Sequence, residues 1–522
     1  MRFTKIAVTL AFCGICHAQP PAIGQNGVAN AASRIPASLP GATLARGARL
    51  AISGVRLSRS GRARVMLNSG THQYSLDVQS TTPAEIVARL PDNAPLGEGS
   101  LRVETEAGAS KPYPVRISMT APGLYSVNGK GWGQGRIELL QAGGQRAANS
   151  LTMTASAGQL ATLQASGVGT AANLAIVVGG LPATGVRVQR NVEPGLDEIQ
   201  FRVPQHVPAG CFVPLYARAA GAPSNVVTIA IGPNGAGCRM PVDEMAPPRA
   251  ERLGVAGIAR TAMLYTDERP LTTFDEAFGA FIDLPAAGQA SSPLLSIPPA
   301  GKCTMYTGSY QSGLPDFRSF PDALLGMLEG RGLDAGPALS LQGGEQNAIV
   351  PATGRGGYWV RLGLEEAGVR SRRPLFFSAP SYTFSSRGGA DIGRLEVQLA
   401  QPVPFEWSNV AQTAIVDRAR GAEVEWKRMA GGIALVFAVS ADPSSTAASI
   451  CLCSAKPESG RARLAPELLS YFPKTQDIAG PPSSLLFVVW MRIDASRRNT
   501  PKGLDDLWAI TSFARGRRVT YR

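Results

Sequence analysis

The chain has 522 residues, of which 44% are hydrophobic and 17% are charged, and its formal net charge is +13 at pH 7. This length suffices for three or four domains of roughly 100–150 residues, so a small disulfide-dependent mini-protein is excluded. The basic residues are scattered rather than gathered in a stripe interleaved with aromatics, which argues against a nucleic-acid partner.

The first 18 residues are typical of a secretory signal peptide. Arg2 and Lys5 precede a largely apolar run at 6–16, and Ala18 ends a small-residue cleavage site. After this segment the longest apolar run, Leu485–Met491, is far shorter than the ~18 residues of a membrane-spanning helix. We therefore expect a secreted or otherwise extracytoplasmic protein, in the periplasm or at the cell surface, with no transmembrane segment in the mature chain.

An internal repeat organises the first half of the chain. Residues 85–109, moved by 113 positions, align without a gap with residues 198–222. The identical pairs include Glu85/Glu198, Ile86/Ile199, Arg89/Arg202, Pro91/Pro204, Pro95/Pro208, Gly97/Gly210, Gly108/Gly221 and Ala109/Ala222. A period of this length is too long for a solenoid and fits one β-sandwich per copy. We predict immunoglobulin-like β-sandwiches at 19–120 and 121–232.

The remainder also has the pattern of a β-rich protein. Apolar and polar residues alternate through short runs such as Leu101–Thr105, and Gly and Pro are frequent. A composition shift predicts a linker at 233–250, followed by a β-rich domain at 251–385 and a C-terminal β-sandwich-like domain at 386–522. Modest helical patches occur only at Pro321–Glu329 and Pro466–Phe472. The predicted fold class is all-β, with tandem immunoglobulin-like β-sandwich domains followed by a β-rich C-terminal region.

Several short motifs resemble a known protein family. In the first half they are Gly27-Val28-Ala29-Asn30-Ala31-Ala32-Ser33, Ala121-Pro122-Gly123-Leu124-Tyr125 and Gly195-Leu196-Asp197-Glu198-Ile199-Gln200-Phe201-Arg202-Val203-Pro204. This set is similar to a family of secreted proteins without an assigned activity, abundant in acidobacterial proteomes, with paired immunoglobulin-like domains. The resemblance covers about residues 27–232.

The region after residue 250 resembles a β-rich tail found in the same proteins. The residues that carry this likeness are Leu333-Asp334-Ala335-Gly336, Gly388-Gly389-Ala390-Asp391-Ile392-Gly393, Pro404-Phe405-Glu406-Trp407-Ser408-Asn409 and Val424-Glu425-Trp426. The resemblance implies an extracytoplasmic sandwich protein and assigns no activity. The chain departs from the tail at Cys451-Leu452-Cys453, where the resemblance implies one cysteine.

Catalytic and metal-binding patterns are weak. The mature chain has only His72 and His206 as histidine bases, and it lacks a Gly-x-Ser-x-Gly elbow. Carboxylate pairs that could serve a glycosidase occur at Asp505-Asp506, Glu365-Glu366 and Glu423/Glu425, although neighbours in sequence need not face each other. Neither calcium nor zinc spacing is present. We therefore expect no catalytic residues, no metal and no cofactor.

Two segments are candidates for ligand contact. Gly129–Gly135 lacks the Gly-Lys-Ser/Thr ending of a phosphate loop, and we expect a flexible loop. Trp132 at its tip could stack on a sugar ring, but a core position is favoured. The hydroxyl-rich stretch Tyr306–Gly313 predicts either a polar binding edge or an ordinary surface loop.

The five cysteines of the mature chain point to disulfides, because the expected compartment is oxidising. Cys211 and Cys238 lie at the ends of two strands that, if they are antiparallel neighbours, bring the sulfurs together. We predict this bond, and we also expect Cys303 to join Cys453, leaving one cysteine unpaired.

These features predict a secreted or cell-surface, non-catalytic binding or structural protein. Its sandwiches would act as spacers and its tail would carry recognition, with an extracellular polysaccharide or a surface protein as the partner. The alternative is an extracellular carbohydrate-active enzyme using carboxylates in the C-terminal region. A subunit of a larger surface assembly is a third possibility.

Overall fold

The computed structural model describes residues 19–58, 61–170, 173–233, 237–240, 252–265, 271–284, 296–309, 330–366, 368–442, 444–475, 484–496 and 500–522. The expected signal peptide at 1–18, most of the linker at 233–250, the helical patch at 321–329 and the end of the hydroxyl-rich stretch at 310–313 lie outside the described residues.

The first module is a two-sheet sandwich. Its strands are β1 (Ala22–Asn30), β2 (Leu44–Ala45), β3 (Arg49–Val55), β4 (Arg64–Ser69), β5 (His72–Ser75), β6 (Asp77–Thr81), β7 (Glu85–Arg89), β8 (Gly97–Thr105), β9 (Gly108–Ala109) and β10 (Tyr113–Ser118). One sheet has the order β1-β3-β7-β6 and the other β2-β10-β8-β4-β5, with β9 paired to β8. Ile86, Leu101 and Val103 are fully buried between the sheets, as the alternation predicts.

The second module repeats this arrangement. Its strands are β11 (Gly123–Leu124), β12 (Ile137–Leu140), β13 (Arg146–Ala148), β14 (Leu160–Ser166), β15 (Ala175–Val178), β16 (Leu181–Pro182), β17 (Thr184–Glu193), β18 (Leu196–Arg202), β19 (Gly210–Ala219), β20 (Ala222–Pro223) and β21 (Val227–Ile231). Its sheets have the orders β13-β12-β14-β18-β17 and β16-β15-β19-β20, with β11 paired to β14 and β21 paired to β19.

The two modules correspond strand by strand. The path β3-β7-β6 matches β14-β18-β17, and β8 with its neighbours β10, β4 and β9 matches β19 with β21, β15 and β20. Ile86 on β7 and Ile199 on β18 are both fully buried at equivalent places. The 113-residue offset seen in the sequence therefore corresponds to a repeated topology.

The tail is built mainly on one large sheet. Its strands are β22 (Arg252–Leu264), β23 (Thr272–Asp283), β24 (Cys303–Ser309), β25 (Arg331–Gly332), β26 (Ala338–Gly343), β27 (Gln346–Gly354), β28 (Gly357–Glu366), β29 (Val369–Arg373), β30 (Ser381–Ser386), β31 (Leu395–Ala400), β32 (Ile415–Val416), β33 (Ala422–Glu425), β34 (Ile433–Ala441), β35 (Ala447–Ala455), β36 (Arg461–Leu464), β37 (Ser484–Ser496), β38 (Asp506–Arg518) and β39 (Thr520–Tyr521). The helices described are two 3₁₀ turns, Gln412–Ala414 and Pro457–Ser459, and the α-helix Pro466–Leu469.

The sheet order is β24-β35-β34-β37-β38-β22-β23-β28-β27-β26-β30-β31, with β25 on β23 and β29 on β28. Its centre joins distant parts of the chain, because β22 pairs in parallel with β38, Leu253 opposite Asp506. Two small sheets, β32-β39 and β33-β36, lie outside it. The large sheet thus unites segments 251–385 and 386–522, for which the sequence predicts separate domains, and β30 itself crosses the expected boundary.

The central strands of the tail are buried on both faces. On β34, Leu435, Phe437 and Val439 belong to one core cluster, and the alternate residues Ala434 and Val436 belong to another. The first of these clusters also contains Trp132, Phe212 and other residues of the second sandwich. The second sandwich therefore shares a hydrophobic core with the tail and does not stand apart as a spacer.

The first-half motifs meet where the two sandwiches join. The buried Asn30 side chain donates to the carbonyls of Ala121 and Ser166, at 3.2 and 3.1 Å. The Ser166 hydroxyl in turn donates to the Gly195 carbonyl at 2.8 Å. Buried polar groups ordinarily require hydrogen-bond partners. These hydrogen bonds therefore give the motif residues a structural role, which is to join the two sandwiches.

The fold class predicted from the sequence, all-β with tandem immunoglobulin-like β-sandwiches and a β-rich C-terminal region, is confirmed. None of the helices within the described residues is long and apolar enough to cross a membrane.

Candidate functional site

A cleft lies where the two sandwiches and the tail meet. Residues Gln25 and Asn26 of β1 take part in the walls of two cavities in this cleft. We call them the hydroxyl cavity, of about 550 Å³, and the basic cavity, of about 450 Å³. Both volumes fall within the 300–1,000 Å³ typical of ligand pockets, which also favour domain interfaces.

The basic cavity takes residues from all three modules. The first sandwich supplies Arg34 and Glu85, the second supplies Lys130 and Trp132, and the tail supplies Thr307 at the end of β24. Arg34 forms a two-pronged ion pair with Glu85, at 2.5 and 3.3 Å, and also donates to the Ala31 carbonyl. Burial lowers the pKa of the Lys130 ammonium.

Trp132 forms part of the cavity wall and is only 3% exposed. Its ring meets the buried Tyr306 ring edge-on, with centroids 5.4 Å apart. The Lys130 ammonium lies 5.5 Å from the Trp132 ring centroid, within cation–π range. Trp132 is therefore not an exposed ring that could stack on a sugar. It occupies the core position that the sequence favoured.

The Gly129–Gly135 loop is anchored at its centre. The Gly131 N–H donates to the Ser126 hydroxyl at 2.9 Å, and the Asn225 amide donates to the Gly131 carbonyl at 2.6 Å. Gly131 has φ of +79° and packs directly against the Ser33 carbonyl, so a side chain is excluded there. The expected flexible loop is therefore a fixed part of the junction, held in place to present Lys130 and Trp132.

The hydroxyl cavity is bordered by a polar bridge between the first sandwich and the tail. The Gln25 amide donates to the Ser444 carbonyl at 2.9 Å, and the Ser38 and Ser445 hydroxyls lie 2.9 Å apart. Asp442 accepts from both Ser444 and Ser445, and these hydrogen bonds keep its pKa low despite the opposing effect of burial. The same cavity is lined by Tyr113 and Tyr471.

The hydroxyl-rich stretch, predicted as either a polar binding edge or a surface loop, is divided between a cavity wall and the core. Thr307 and Ser309 line the basic cavity, whereas Tyr306 is fully buried and burial raises its pKa. The Ser309 hydroxyl contacts the Thr446 hydroxyl, next to the polar bridge.

The histidines and the carboxylate pairs lie away from this cleft. His72 and His206 are both exposed, and neither is among the described residues that line the cavities. Glu423 and Glu425 project from β33 into solvent, and Glu423 lies 3.5 Å from the Arg461 guanidinium. The two pairs of sequence neighbours also lie outside the cleft. Glu365 and Glu366 are exposed on β28, and the Asp505 carboxylate accepts a hydrogen bond from the Arg252 N–H.

A third cavity, of about 510 Å³, does contain two carboxylates, those of Asp334 and Asp391. The Asp334 oxygens accept from the N–H groups of Gly336 and Ala390, at 2.7 and 3.1 Å. Asp391 accepts from the Asp334 N–H at 2.9 Å. The hydrogen bonds from Gly336 and Ala390 lower the pKa of Asp334, so this group is ionised near neutral pH and cannot serve as a general acid. The two tail motifs at 333–336 and 388–393 therefore form an interlocking turn.

Both predicted disulfides are present. Cys211 and Cys238 are bonded with their Cα atoms 4.9 Å apart, inside the core shared by the second sandwich and the tail. Cys303 is bonded to Cys453, which lies directly opposite it on the antiparallel strand. Among the cysteines in the described residues, Cys451 is free and buried, and burial raises the pKa of its thiol to about 12.

Sequence reasoning missed most of the cleft. Arg34 had no distinguishing pattern, and nothing in the sequence placed it and Glu85 of the first sandwich beside Lys130 of the second. Three segments singled out in the sequence do contribute to the basic cavity: the motif containing Gly27, the Gly129–Gly135 loop and the Tyr306–Gly313 stretch.

No family model matches the chain, and no curated protein matches it either. Among solved structures, the chain is similar to SGBP-B from a complex xyloglucan utilization locus in Bacteroides uniformis, at 15% identity over 49% of this chain and 66% of that one, with a TM-score of 0.16. A Prevotella bryantii surface glycan-binding protein matches at 14% identity over 49% and 46%, with a TM-score of 0.15. Titin domains A164-A165 match at 10% identity over 37% and 91%, with a TM-score of 0.13. Likenesses at such TM-scores do not bear on what this chain binds.

Proposed function

We propose that this chain is a non-catalytic binding protein, secreted or held at the cell surface, that binds a polysaccharide segment in the cleft beside Gln25 and Asn26. The observation that carries the proposal is the composition of the cleft. Two adjoining cavities at the junction of three modules place hydroxyl and amide side chains among mainly apolar walls.

Such a lining suits a ligand with many hydroxyl groups. Serine, threonine and tyrosine hydroxyls both donate and accept hydrogen bonds, and Gln and Asn amides do the same through separate atoms. A sugar hydroxyl also does both, so it can satisfy either kind of group. The two volumes, about 450 and 550 Å³, each leave room for sugar units.

The charges of the basic cavity are compatible with neutral and acidic sugars. Glu85 balances the charge of Arg34 across their two hydrogen bonds. Lys130 adds a second basic group to the cavity. Burial lowers the pKa of its ammonium. An anionic sugar would offset part of the cost of burying the charged Lys130 ammonium, because a nearby opposite charge favours the protonated form.

The enzyme alternative receives less support. Hydrolysis of a glycosidic bond ordinarily requires two carboxyl groups about 5–9.5 Å apart, facing the same bond. Among the described lining residues, the hydroxyl cavity has one carboxylate, Glu98, and the basic cavity has one, Glu85. In the third cavity the carboxylates of Asp334 and Asp391 are held by backbone N–H groups.

A glycan array probed with the full mature chain tests the proposal. Two variants alter the basic cavity, Lys130→Gln and Gly24→Phe. A Cβ at Gly24 would make only an ordinary 3.5 Å contact with the Ser53 carbonyl, so the added ring is expected to occupy the cavity without displacing backbone. The control is Lys111→Gln, at an exposed lysine of the first sandwich.

We expect the parent chain and Lys111→Gln to bind the same polysaccharides, and both cavity variants to bind them at least about tenfold more weakly, a loss of about 1.4 kcal/mol. If the parent binds no glycan, or if both cavity variants bind as the parent does, the proposed site is wrong.

A further inference from the structure

One face of the β24–β35 pair gathers four sulfur-bearing side chains. Cys303 lies opposite Cys453, and Met305 lies opposite Cys451. Alternate residues of a strand point to the same face, so all four share one face. The Sγ atoms of the three cysteines all lie within 4.8 Å of one another. Met305, Cys451 and Cys453 are buried in one core cluster, against which Cys303 packs.

This spacing suits a single ion. Thiolates bound at about 2.3 Å to one metal lie roughly 4 Å from each other, and the Cys451 and Cys453 sulfurs are 3.9 Å apart. In the oxidised chain the Cys303–Cys453 bond occupies two of the three sulfurs. The cluster is therefore complete as a ligand set only in the dithiol form.

We propose that the dithiol form of this chain binds one Cu(I) ion through Cys303, Cys451 and Cys453, beside the Met305 thioether. Soft thiolate and thioether ligands favour Cu(I) over hard cations. Zinc ordinarily takes four strong ligands in a structural site, whereas this face supplies three thiols and one weak thioether. Cys303 is only partly buried and opens the cluster toward solvent.

The chemistry balances without a hidden reactant. Two equivalents of a small thiol reduce the Cys303–Cys453 bond, placing one hydrogen on each sulfur and leaving the reagent as its own disulfide. The Arg463 carbonyl, 3.4 Å from the Cys303 sulfur and 3.9 Å from the Cys453 sulfur, can accept the new S–H groups. Cu(I) then replaces a proton on each thiol that it binds, and its oxidation state does not change.

Anaerobic titration of the reduced full chain with Cu(I), in competition with bathocuproine disulfonate, tests this site. We expect one tightly held Cu(I) per chain, and none in the oxidised chain. Cys451→Ser should weaken binding by more than about 100-fold, since loss of even an outer-shell partner costs about 10–100-fold. The matched control, Cys211→Ser with Cys238→Ser, removes the other disulfide and should retain the ion.

Three results would overturn the proposal. They are a reduced chain that does not compete for Cu(I), a Cys451→Ser variant that binds as the parent does, and tight binding that is lost in the Cys211/Cys238 control. Tighter binding of Zn(II) than of Cu(I) would refute the choice of metal. Far-UV circular dichroism checks each fold, and Cys303→Ser, at the partly exposed position, replaces Cys451→Ser if that variant does not fold.

Discussion

Replacing Asp275 with asparagine removes the charge from an ion pair at the centre of the tail sheet. Asp275 on β23 is fully buried and lies directly opposite Arg260 on β22, whose side chain is 13% exposed. The carboxylate accepts from the Arg260 guanidinium at 2.6 and 2.7 Å, and from the N–H groups of Phe376 and Phe377 at 2.7 and 2.8 Å. Asparagine keeps the shape but turns a donor toward these donors.

The expected cost follows from burial. Removing one partner of a buried ion pair costs about 3–5 kcal/mol, because the other charge is left without compensation. In a region of this size, each kcal/mol lost from the free energy of unfolding lowers the melting temperature by about 2–4 °C. We therefore expect the melting temperature to fall by about 6–20 °C. Tryptophan fluorescence follows this transition well, because five of the six tryptophans lie after residue 252.

Asp283→Asn is the matched control on the same strand. Asp283 pairs with Arg331 at 3.1 Å, but the two side chains are 33% and 60% exposed. Such a surface pair contributes about 0–1 kcal/mol, so the melting temperature should change by less than about 4 °C. Equal decreases for Asp275→Asn and Asp283→Asn would refute the argument that burial sets the cost.

Three further predictions concern other parts of the fold. Replacing Cys211 and Cys238 with serine should destabilise the chain by about 3.5 kcal/mol in urea denaturation, the chain-entropy value for a loop of 27 residues; an unchanged midpoint would contradict this. Trp132→Ala should cost about 3–5 kcal/mol in the same assay, because it empties a core position, and a cost below about 1 kcal/mol would place the ring outside the core. The folded-state pKa of Asp334 lies below its ordinary value of 3.8, so its stabilisation is present above that pH and is lost as the pH falls through the folded pKa. Asp334→Asn should therefore be less stable than the parent at pH 6, with the difference shrinking toward pH 3, and a constant difference would exclude this role.

The sandwiches could be predicted from the sequence because their signals are local. Leu101 and Val103 alternate with polar neighbours on β8, and the pairs Ile86/Ile199 and Pro91/Pro204 repeat at one fixed offset. The Cys211–Cys238 bond followed from the same logic, since β19 and β21 are antiparallel neighbours.

The tail sheet and the cleft could not be predicted in this way. The runs Ile433–Val439 and Leu485–Met491 are buried on both faces, so they lack the alternation that marks a sheet face. Nothing local shows that β38 pairs with β22, or that Arg34 lies near Lys130. Such pairings depend on contacts between residues that are roughly a hundred or more positions apart.

The parallel pairing of β22 with β38 also constrains how the chain acquires its structure. About 250 residues separate the two strands, and closing so long a loop is slow compared with forming a local hairpin. The sandwiches consist mainly of short-range pairings and can form while later segments are still being made. β22, which carries Val255 and Ile258, can pair with β23 as soon as both strands exist, but its other edge stays unpaired until residues 506–518 arrive. A chaperone that protects this segment should therefore improve the yield of folded protein more than one that acts on the sandwiches.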